Sequence, residues 1–283
     1  MNIGIVGGDS RIVELVKILQ ENNNKVKLYG LELCSELKNF DNENTLEDLL
    51  KNVDTIITSI PLSKNGKFIN SAFTNEEILI EDFFELSKNK TIITGNITNE
   101  IKNCIKNNEN NIIDILKLEE LAILNSIPTA EGAIQIAMEK SLKTIHGSKC
   151  LVLGFGRIGK VLSKMLYGIG ANVYCEARKS TDIAWIESYK YNAIHLEELN
   201  KYLGDFDFIF NTIPYVILDK NNLKLIKKDC LLIDLASNPG GIDFNEAERL
   251  QLQTVWALAL PGKVAPKTAA TYIYKILKNI IKI

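Results

Sequence analysis

Histidine and cysteine are scarce in this chain. Its 283 residues include two histidines and five scattered cysteines, with no CxxC pair. Metal sites need such ligands at short spacing, so we expect no metal. The cysteines are typical of reduced packing thiols in a cytosolic protein. Three of them lie in or directly beside predicted buried strands: Cys150, Cys175 and Cys230.

Long apolar runs and one-sided charge are also lacking. No apolar run approaches the length of a membrane span, and the chain begins directly with a predicted strand rather than a secretory signal. The formal net charge is −2 and the charges are dispersed, so there is neither a nucleic-acid footprint nor a polybasic membrane patch. We therefore expect a cytoplasmic globular protein that binds neither nucleic acid nor membrane.

One structural plan occurs twice in the chain. Met1–Gly30 and Lys149–Arg178 each have the pattern of an apolar strand, a glycine turn, an amphipathic helix and a second strand. Strands that alternate with helices predict a parallel sheet with helices on both faces. We therefore predict an α/β fold with two Rossmann-like, doubly wound domains and an interdomain cleft, one domain for a cofactor and one for a substrate.

The predicted boundaries follow from this repeat. A substrate domain covers residues 1–125, a linking helix and hinge cover 126–148, a dinucleotide-binding domain covers 149–262, and a C-terminal helix over 263–283 returns to the first domain. Thr129 is predicted to cap the linking helix, with Glu131 in its first turn. The predicted strands are Asn2–Val6, Lys25–Tyr29, Thr55–Ser59, Thr91–Gly95, Ile112–Asp114, Cys150–Leu153, Asn172–Glu176, Phe208–Asn211, Leu231–Asp234 and Thr254–Ala257.

The second glycine turn has the pattern of a dinucleotide-binding loop. Gly154, Gly156 and Gly159 are spaced as GxGxxG, directly after a predicted strand and before a predicted helix. The first glycine permits a tight turn, the second lets backbone N–H groups approach a pyrophosphate, and the third allows close helix–strand packing. We assign these glycines, with Arg157 and Ile158, to cofactor binding. A tight turn without a ligand is the alternative.

The end of the next strand predicts which cofactor binds. NAD sites usually carry an acidic residue about twenty positions after the loop, which binds the ribose 2′-hydroxyl. Ala177 stands 18 residues after the last glycine of the loop. Arg178, Lys179 and Ser180 follow, and arginine and hydroxyl groups suit a 2′-phosphate. Glu176 argues for NAD but should point to the opposite face of the strand. We therefore expect NADP(H).

The first glycine turn, Gly7-Gly8-Asp9-Ser10-Arg11, lacks the third glycine. Asp9 would repel a phosphate there, and Asp9 or Ser10 can cap the helix that follows. We predict that this copy binds no nucleotide but faces the substrate, because ligands of such sheets lie beyond the carboxyl ends of the strands. Arg11 is then a candidate for an anionic substrate, with a surface arginine as the alternative.

Other loops at the same sheet edges supply the remaining candidates. Thr212 and Pro214 are expected to line the nicotinamide and its ribose, whereas Ser59 and Asn96 are expected to face the substrate, and Ser237 is a further candidate.

No histidine–carboxylate pair is visible that would act as a general base. His146 and His195 are both expected to be structural. This absence counts against an ordinary 2-hydroxy-acid dehydrogenase. Glu131 is a candidate base, although a carboxylate that stabilises a helix dipole fits it equally well.

Several motifs together resemble one family. GGDSR, NSIPTAEGAI, TIHGSKCLVLGFGRIG, NTIP, DLASNPGGIDF and LPGKVAPKTA are similar to those of the A-subunits of bacterial dipicolinate synthase, over essentially the whole chain and most clearly from Asn125 onward. More distantly, the two-domain plan resembles D-2-hydroxy-acid and alanine dehydrogenases. Asn238 stands where the resemblance implies an arginine. If that arginine binds a substrate carboxylate, Asn238 is its replacement here.

The resemblance implies an NADP-dependent oxidoreductase that makes dipicolinate (pyridine-2,6-dicarboxylate), the calcium-chelating acid of bacterial endospores. Its substrate would be a cyclic dihydro- or hydroxytetrahydro-dipicolinate precursor. The resemblance also implies a partner, the flavoprotein-like B-subunit of dipicolinate synthase. It further implies that the protein works in the mother cell during sporulation. A homo-oligomer is possible as well.

Aromaticity drives such an oxidation, so the protein needs mainly orientation, carboxylate binding and a modest base. The catalytic candidates are Glu131, Ser59 and Asn96. The substrate-binding candidates are Arg11, Thr129, Ser237 and Asn238. The alternatives are a 2-hydroxy- or 2-amino-acid dehydrogenase and a nucleotide-binding regulatory protein.

Overall fold

The computed structural model describes residues 1–105 and 109–281. The chain forms two compact units, Met1–Leu124 with Ala265–Ile283, and Asn125–Val264. Each unit contains one six-stranded parallel sheet with helices on its faces, which confirms the prediction of two Rossmann-like α/β domains. Among the described residues, no helix is both long enough and apolar enough to cross a membrane.

Six strands form the sheet of the first unit: β1 (Asn2–Val6), β2 (Lys25–Tyr29), β3 (Asp41–Asn42), β4 (Thr55–Thr58), β5 (Thr91–Thr94) and β6 (Asn111–Asp114). Their order in space is β3-β2-β1-β4-β5-β6. The order reverses between β1 and β4, so the carboxyl ends of these two strands mark the place where ligands bind in such sheets. The helices of this part of the chain are α1 (Ser10–Glu21), α2 (Leu46–Lys51), α3 (Ile80–Leu86), α4 (Asn99–Ile105) and the start of α5 (Glu119–Lys140).

The sheet of the second unit repeats this arrangement with β7 (Lys149–Leu153), β8 (Asn172–Ala177), β9 (Asn192–His195), β10 (Phe208–Asn211), β11 (Leu231–Asp234) and β12 (Gln253–Trp256). Their order is β12-β11-β10-β7-β8-β9, with the reversal between β7 and β10. After α5 come α6 (Arg157–Ile169), α7 (Ser180–Ser188), α8 (Lys220–Leu223), α9 (Phe244–Arg249) and α10 (Leu260–Val264).

The last helix, α11 (Pro266–Ile281), belongs to the first unit. Its apolar stripe is buried along Ala270, Ile273 and Leu277, in the same core cluster as Ile12 and Leu19 of α1. The two helices thus bury each other's apolar faces, which is the main stabilising contribution that an amphipathic helix makes.

The strands expected from the sequence all exist, and their ends agree within one residue. Two edge strands were not among them. β3 has only two residues, both exposed, and β9 begins and ends with the polar residues Asn192 and His195. Neither has the apolar run that identifies the central strands.

The start of α5 differs from the prediction. The helix begins at Glu119, ten residues before Thr129, and it contains Pro128. Thr129 is therefore not an N-cap; its Oγ1 donates to the carbonyl oxygen of Asn125 at 2.7 Å, as threonines inside helices do. The sequence around Pro128 has the signals of a helix start. The helix is nevertheless continuous, with buried residues before Pro128 at Leu121 and Ser126 and after it at Ala130 and Ala133.

Candidate cofactor and substrate sites

The dinucleotide loop joins β7 to α6 in the second unit. Gly154 has a φ of 87°, in the left-handed region, and a Cβ there would lie 2.8 Å from Thr212 Oγ1. A Cβ on Gly159 would lie 2.1 Å from the carbonyl oxygen of Gly154. At Gly156, by contrast, none of the described atoms beyond its chain neighbours lies within 4 Å of the Cβ position. The fold itself therefore requires the first and third glycines, whereas the second leaves open space beside the backbone.

Gly156 is the N-cap of α6 and has no side chain that could cap the helix. The first amides of a helix have no partner inside it, and the helix dipole places positive charge at this end. Arg157 and Ile158 are the first two residues of α6. This end of the helix has the geometry that binds a pyrophosphate.

A cationic segment follows β8. The strand ends at Ala177, and Arg178, Lys179 and Ser180 after it are exposed. Within the described part of the chain, no residue forms a hydrogen bond or a salt bridge with the side chain of Arg178. Its charge is therefore available to an anion.

Glu176 lies on the other face of β8. Cys175 and Ala177 belong to the core cluster that contains the apolar face of α6, whereas Tyr174, two residues before Glu176, packs against the cluster on the other face. Glu176 shares the face of Tyr174 and is 1% exposed. Its Oε2 accepts a hydrogen bond from the N–H of Gly154 at 3.2 Å. Burial raises the pKa of Glu176, and the smaller opposing effects of the Gly154 N–H, Arg178 and His195 do not cancel this.

A buried polar network, which the sequence analysis missed, fixes the carboxyl ends of β10 and β11. Asp234 accepts hydrogen bonds from Asn211 Nδ2 at 2.8 Å, from the N–H of Ala236 at 3.0 Å and from the N–H of Gly241 at 2.7 Å. Both Asn211 and Asp234 are fully buried. Asn211 is the one polar residue of the apolar strand FIFN, and Asp234 is the one polar residue of LLID. A single polar residue at the end of each apolar strand was the sequence feature that could have predicted this network.

This network leaves the predicted ligand residues at the surface of the second unit. Ser237 and Asn238 are exposed in the loop after β11, and Pro214 is exposed after β10. Thr212 is anchored, because its Oγ1 donates to the carbonyl oxygen of Leu153 at 2.9 Å. The predicted cofactor residues therefore come together at the carboxyl ends of β7, β8 and β10.

Protein groups fill the first glycine turn, in the first unit. The N–H of Gly7 donates to the carbonyl oxygen of Tyr29, the last residue of β2, at 2.9 Å. The N–H of Gly8 donates to the carbonyl oxygen of Asn70 at 3.0 Å. Asp9 caps α1 by accepting the N–H of Arg11 at 3.0 Å. Amides that would contact a phosphate in a dinucleotide loop already have partners here.

Arg11 is buried rather than a surface arginine, with 8% of the residue exposed. Asp9 binds its guanidinium bidentately, at 3.0 Å from Nε to Oδ1 and 2.7 Å from Nη2 to Oδ2. Nη2 also donates to the carbonyl oxygen of Ile60. Of the guanidinium nitrogens, Nη1 alone has no hydrogen bond to a described residue, so it is the atom left for a ligand.

Ser59 and Asn96 differ in availability. Ser59 is fully buried, and its Oγ lies 2.8 Å from the carbonyl oxygens of Pro61 and Leu62. The hydroxyl group of Ser59 therefore bonds its own turn, and its catalytic role stays a prediction. Asn96 is exposed at the carboxyl end of β5, and its N–H donates to Asp114 Oδ1 at 3.0 Å.

Glu131 is exposed on α5, two residues after Thr129. Because α5 begins at Glu119, Glu131 lies well beyond the first helical turn, and its interpretation as a helix-dipole carboxylate is wrong. Its carboxylate is open to solvent and to ligands. The hydroxyl group of Thr129 donates a hydrogen bond to the carbonyl oxygen of Asn125, so a substrate carboxylate would have to compete with that oxygen for the same hydrogen.

Comparison with known proteins decides the family. Residues 2–116 match the model of the N-terminal domain of the dipicolinate synthase A-subunit. Residues 127–239 match the NAD binding domain of D-isomer specific 2-hydroxyacid dehydrogenase. The dipicolinate synthase A-subunit of Bacillus subtilis (strain 168) is 31% identical over 99% of this chain and 96% of its own length.

The chain belongs to the family of dipicolinate synthase A-subunits. It is similar to the crystal structure of the corresponding protein from Bacillus halodurans, with a TM-score of 0.92 and 31% identity over 99% of this chain and 97% of that one. The structure of an L-alanine dehydrogenase shares the fold, with a TM-score of 0.70 and 13% identity over 99% of this chain and 89% of that one. The predicted resemblance is confirmed, and the chain is an NAD(P)-dependent oxidoreductase with a nicotinamide cofactor.

Proposed function

We propose that this chain uses NADP⁺ to oxidise a cyclic dihydro- or hydroxytetrahydro-dipicolinate precursor to dipicolinate. Family membership supports the substrate class. The observation that carries the choice of cofactor is Arg178, an exposed cation without a partner among the described residues, directly after Ala177 where an NAD site carries an acid. Lys179 and Ser180 add a second cation and a hydroxyl donor for the 2′-phosphate.

Two further observations support the binding of a pyridine dinucleotide to the second unit. The N-terminus of α6 has no side-chain cap, and the space at the Cβ position of Gly156 is open. When bound, the nicotinamide supplies the hydride acceptor. The loop amides would hold the pyrophosphate of the dinucleotide. Thr212, whose hydroxyl bonds the end of β10 to the end of β7, would lie beside the nicotinamide.

The reaction removes two electrons from the ring. One C–H bond of the dihydro ring would break as a hydride, for which the nicotinamide would be the acceptor, and the loss of one proton would complete the aromatic ring. The hydroxytetrahydro precursor must in addition lose one water. The aromatic product supplies the driving force, so a modest base suffices. We propose Glu131 as the proton acceptor because its carboxylate is exposed. Asn96, which is exposed in the first unit, stays a candidate hydrogen-bonding group.

The substrate carries two carboxylates, which N–H and O–H donors bind. We propose that Nη1 of Arg11, in the first unit, donates to a substrate carboxylate. Ser237 and Asn238, in the second unit, stay candidate donors because they are exposed. Thr129 is a weaker candidate, because its hydroxyl group already donates to the carbonyl oxygen of Asn125. The flavoprotein-like B-subunit of dipicolinate synthase is the proposed partner, by family membership, and the mother cell of the sporulating bacterium is the proposed location.

The deciding experiment is to incubate the purified chain with NADP⁺ and freshly generated cyclic precursor and to follow dipicolinate and NADPH together. Equal amounts of both products from the chain alone are expected. Product that forms only after the B-subunit is added, with no NADPH, would make this chain a regulatory protein. Faster turnover of 2-hydroxy or 2-amino acids would overturn the substrate assignment.

A further inference from the structure

Glu176 leaves one carboxyl oxygen without a partner. The side chain is buried beneath the dinucleotide loop, and Oε2 accepts a single hydrogen bond, from the N–H of Gly154 at 3.2 Å. Oε1 is equally buried and has no hydrogen-bond partner among the described residues. An ionised carboxylate offers about four acceptor positions. Burial with only one of them used strongly disfavours the charged form.

The charged and titratable groups that act on Glu176 are Arg178, which follows β8, and His195, at the end of β9. The turn after β7 presents only the N–H of Gly154 to it. Neither Arg178 nor His195 forms a hydrogen bond to the carboxyl group, although both favour its ionised form. Burial outweighs them, and the pKa of Glu176 is raised above its ordinary value.

We propose that Glu176 is a positioning residue for the dinucleotide loop and that the protein holds it as the neutral acid. This rests on the proposed use of NADP(H). Oε2 fixes the position of the turn by accepting a hydrogen bond from the N–H of Gly154, its first residue. The neutral form places no negative charge beside Arg178, so the guanidinium acts on the 2′-phosphate at full strength. An acid one residue later, at Ala177, would instead lie on the α6 face, where an acid suits NAD.

Three measurements at neutral pH test this: thermal melting, fluorescence titration with NADPH and with NADH, and infrared spectroscopy. Glu176→Gln keeps the shape and the acceptor oxygen, so both affinities should stay within about twofold of the original. Glu176→Ala removes the anchor of the loop, so both affinities should fall by a similar factor of about three to ten. The infrared band of a protonated carboxyl group should be present in the unaltered chain and missing from Glu176→Gln.

Three results would overturn the proposal. A Glu176→Gln variant that binds NADPH about tenfold more tightly, with NADH unchanged, would show that Glu176 is ionised. A selective loss of NADH affinity in that variant would make Glu176 a ribose acceptor. Unchanged cofactor affinities in Glu176→Ala would remove the positioning role. If Glu176→Ala does not fold, Glu176→Gln and the infrared band still decide. If the unaltered chain prefers NADH, the proposed use of NADP(H) is refuted. The proposal on Glu176 is tested separately, because the infrared band reports the protonation of its carboxyl group.

Discussion

Asp9 and Gly156 are the N-caps of corresponding helices, α1 and α6, and they give the two glycine turns opposite properties. The carboxylate of Asp9 caps its helix and binds Arg11 bidentately. Gly156 has no side chain, and the space beside it is open. One repeat therefore closes its turn with protein groups, whereas the other leaves its helix end for an anion.

Gly156→Val should abolish cofactor binding and leave the fold intact. The φ of −82° at this residue suits any side chain, and the Cβ position is open, so the valine fits the protein but occupies the place of the pyrophosphate. Calorimetric titration with NADPH and thermal melting check this. Gly168→Ala, which also fills open space but lies near the other end of α6, should bind normally. Normal NADPH binding by Gly156→Val would contradict the assignment of the loop.

Arg178→Ala should weaken NADPH binding far more than NADH binding. A charge-assisted hydrogen bond contributes about 1.5–3 kcal/mol, which corresponds to roughly tenfold to a hundredfold in affinity. Fluorescence titration of both cofactors measures the ratio. Lys164→Ala, an exposed lysine of α6, serves as the control and should change neither affinity. Equal losses for both cofactors would refute the 2′-phosphate assignment.

Arg11→Ala should raise the KM for the dicarboxylate and leave NADPH affinity unchanged, because only the first unit is altered. It should also cost about 1–2 kcal/mol of stability, since the carboxylate of Asp9 loses its partner while partly buried. Steady-state kinetics, direct NADPH titration and urea unfolding measure the three quantities.

The double variant Asp9→Asn/Arg11→Ala separates the two effects of Arg11. It should recover part of the stability that Arg11→Ala loses, because the neutral amide needs no cationic partner. The KM for the dicarboxylate should stay raised, because Arg11 is still missing. We also expect one NADP(H) per chain. A second bound nucleotide, or an Arg11→Ala variant that loses cofactor affinity and keeps its KM, would contradict this division of roles.

Asp207 should make stability depend on pH in the acidic range. Burial alone would raise its pKa, but hydrogen bonds from Lys143, Lys227 and the N–H of Lys149 lower the pKa of Asp207 from 3.8 to about 2. A lowered pKa in the folded state stabilises the protein above the ordinary pKa, and this contribution is lost as the pH falls toward 2.

Asp207→Asn tests that contribution. Urea unfolding should show a deficit of about 2 kcal/mol near neutral pH that shrinks below pH 4 or so. A deficit that stays constant down to the lowest pH would show that the ionised carboxylate contributes nothing.

The thiols should differ sharply in reactivity. Burial raises the pKa of Cys150, Cys175 and Cys230 to about 12, so these groups are neither ionised nor accessible. Cys34 is also buried, whereas Cys104 is exposed on α4. A thiol reagent should modify one cysteine per native chain, and none in Cys104→Ser. Rapid reaction of a second thiol would show that a buried cysteine becomes accessible in the native protein.

Local sequence patterns were enough to predict the central strands and the family, and they also predict the dinucleotide loop. These depend on local signals: short apolar runs between glycines, the spacing of Gly154, Gly156 and Gly159, and the Ala177–Arg178 pair. The glycine requirement is local because the clash of a Gly159 side chain with the carbonyl of Gly154 arises within a single turn.

The sequence did not show which polar side chains are already bonded to other protein groups, because those partners come together only in the folded chain. The carbonyl oxygens of Pro61 and Leu62 bind Ser59, Asp9 binds Arg11, and the start of α5 depends on packing rather than on the signals around Thr129. Glu176 has an unpaired oxygen only because β8 is buried beside the Gly154 turn. Hydrogen-bond partners come from segments that are distant in sequence, and no local pattern specifies them.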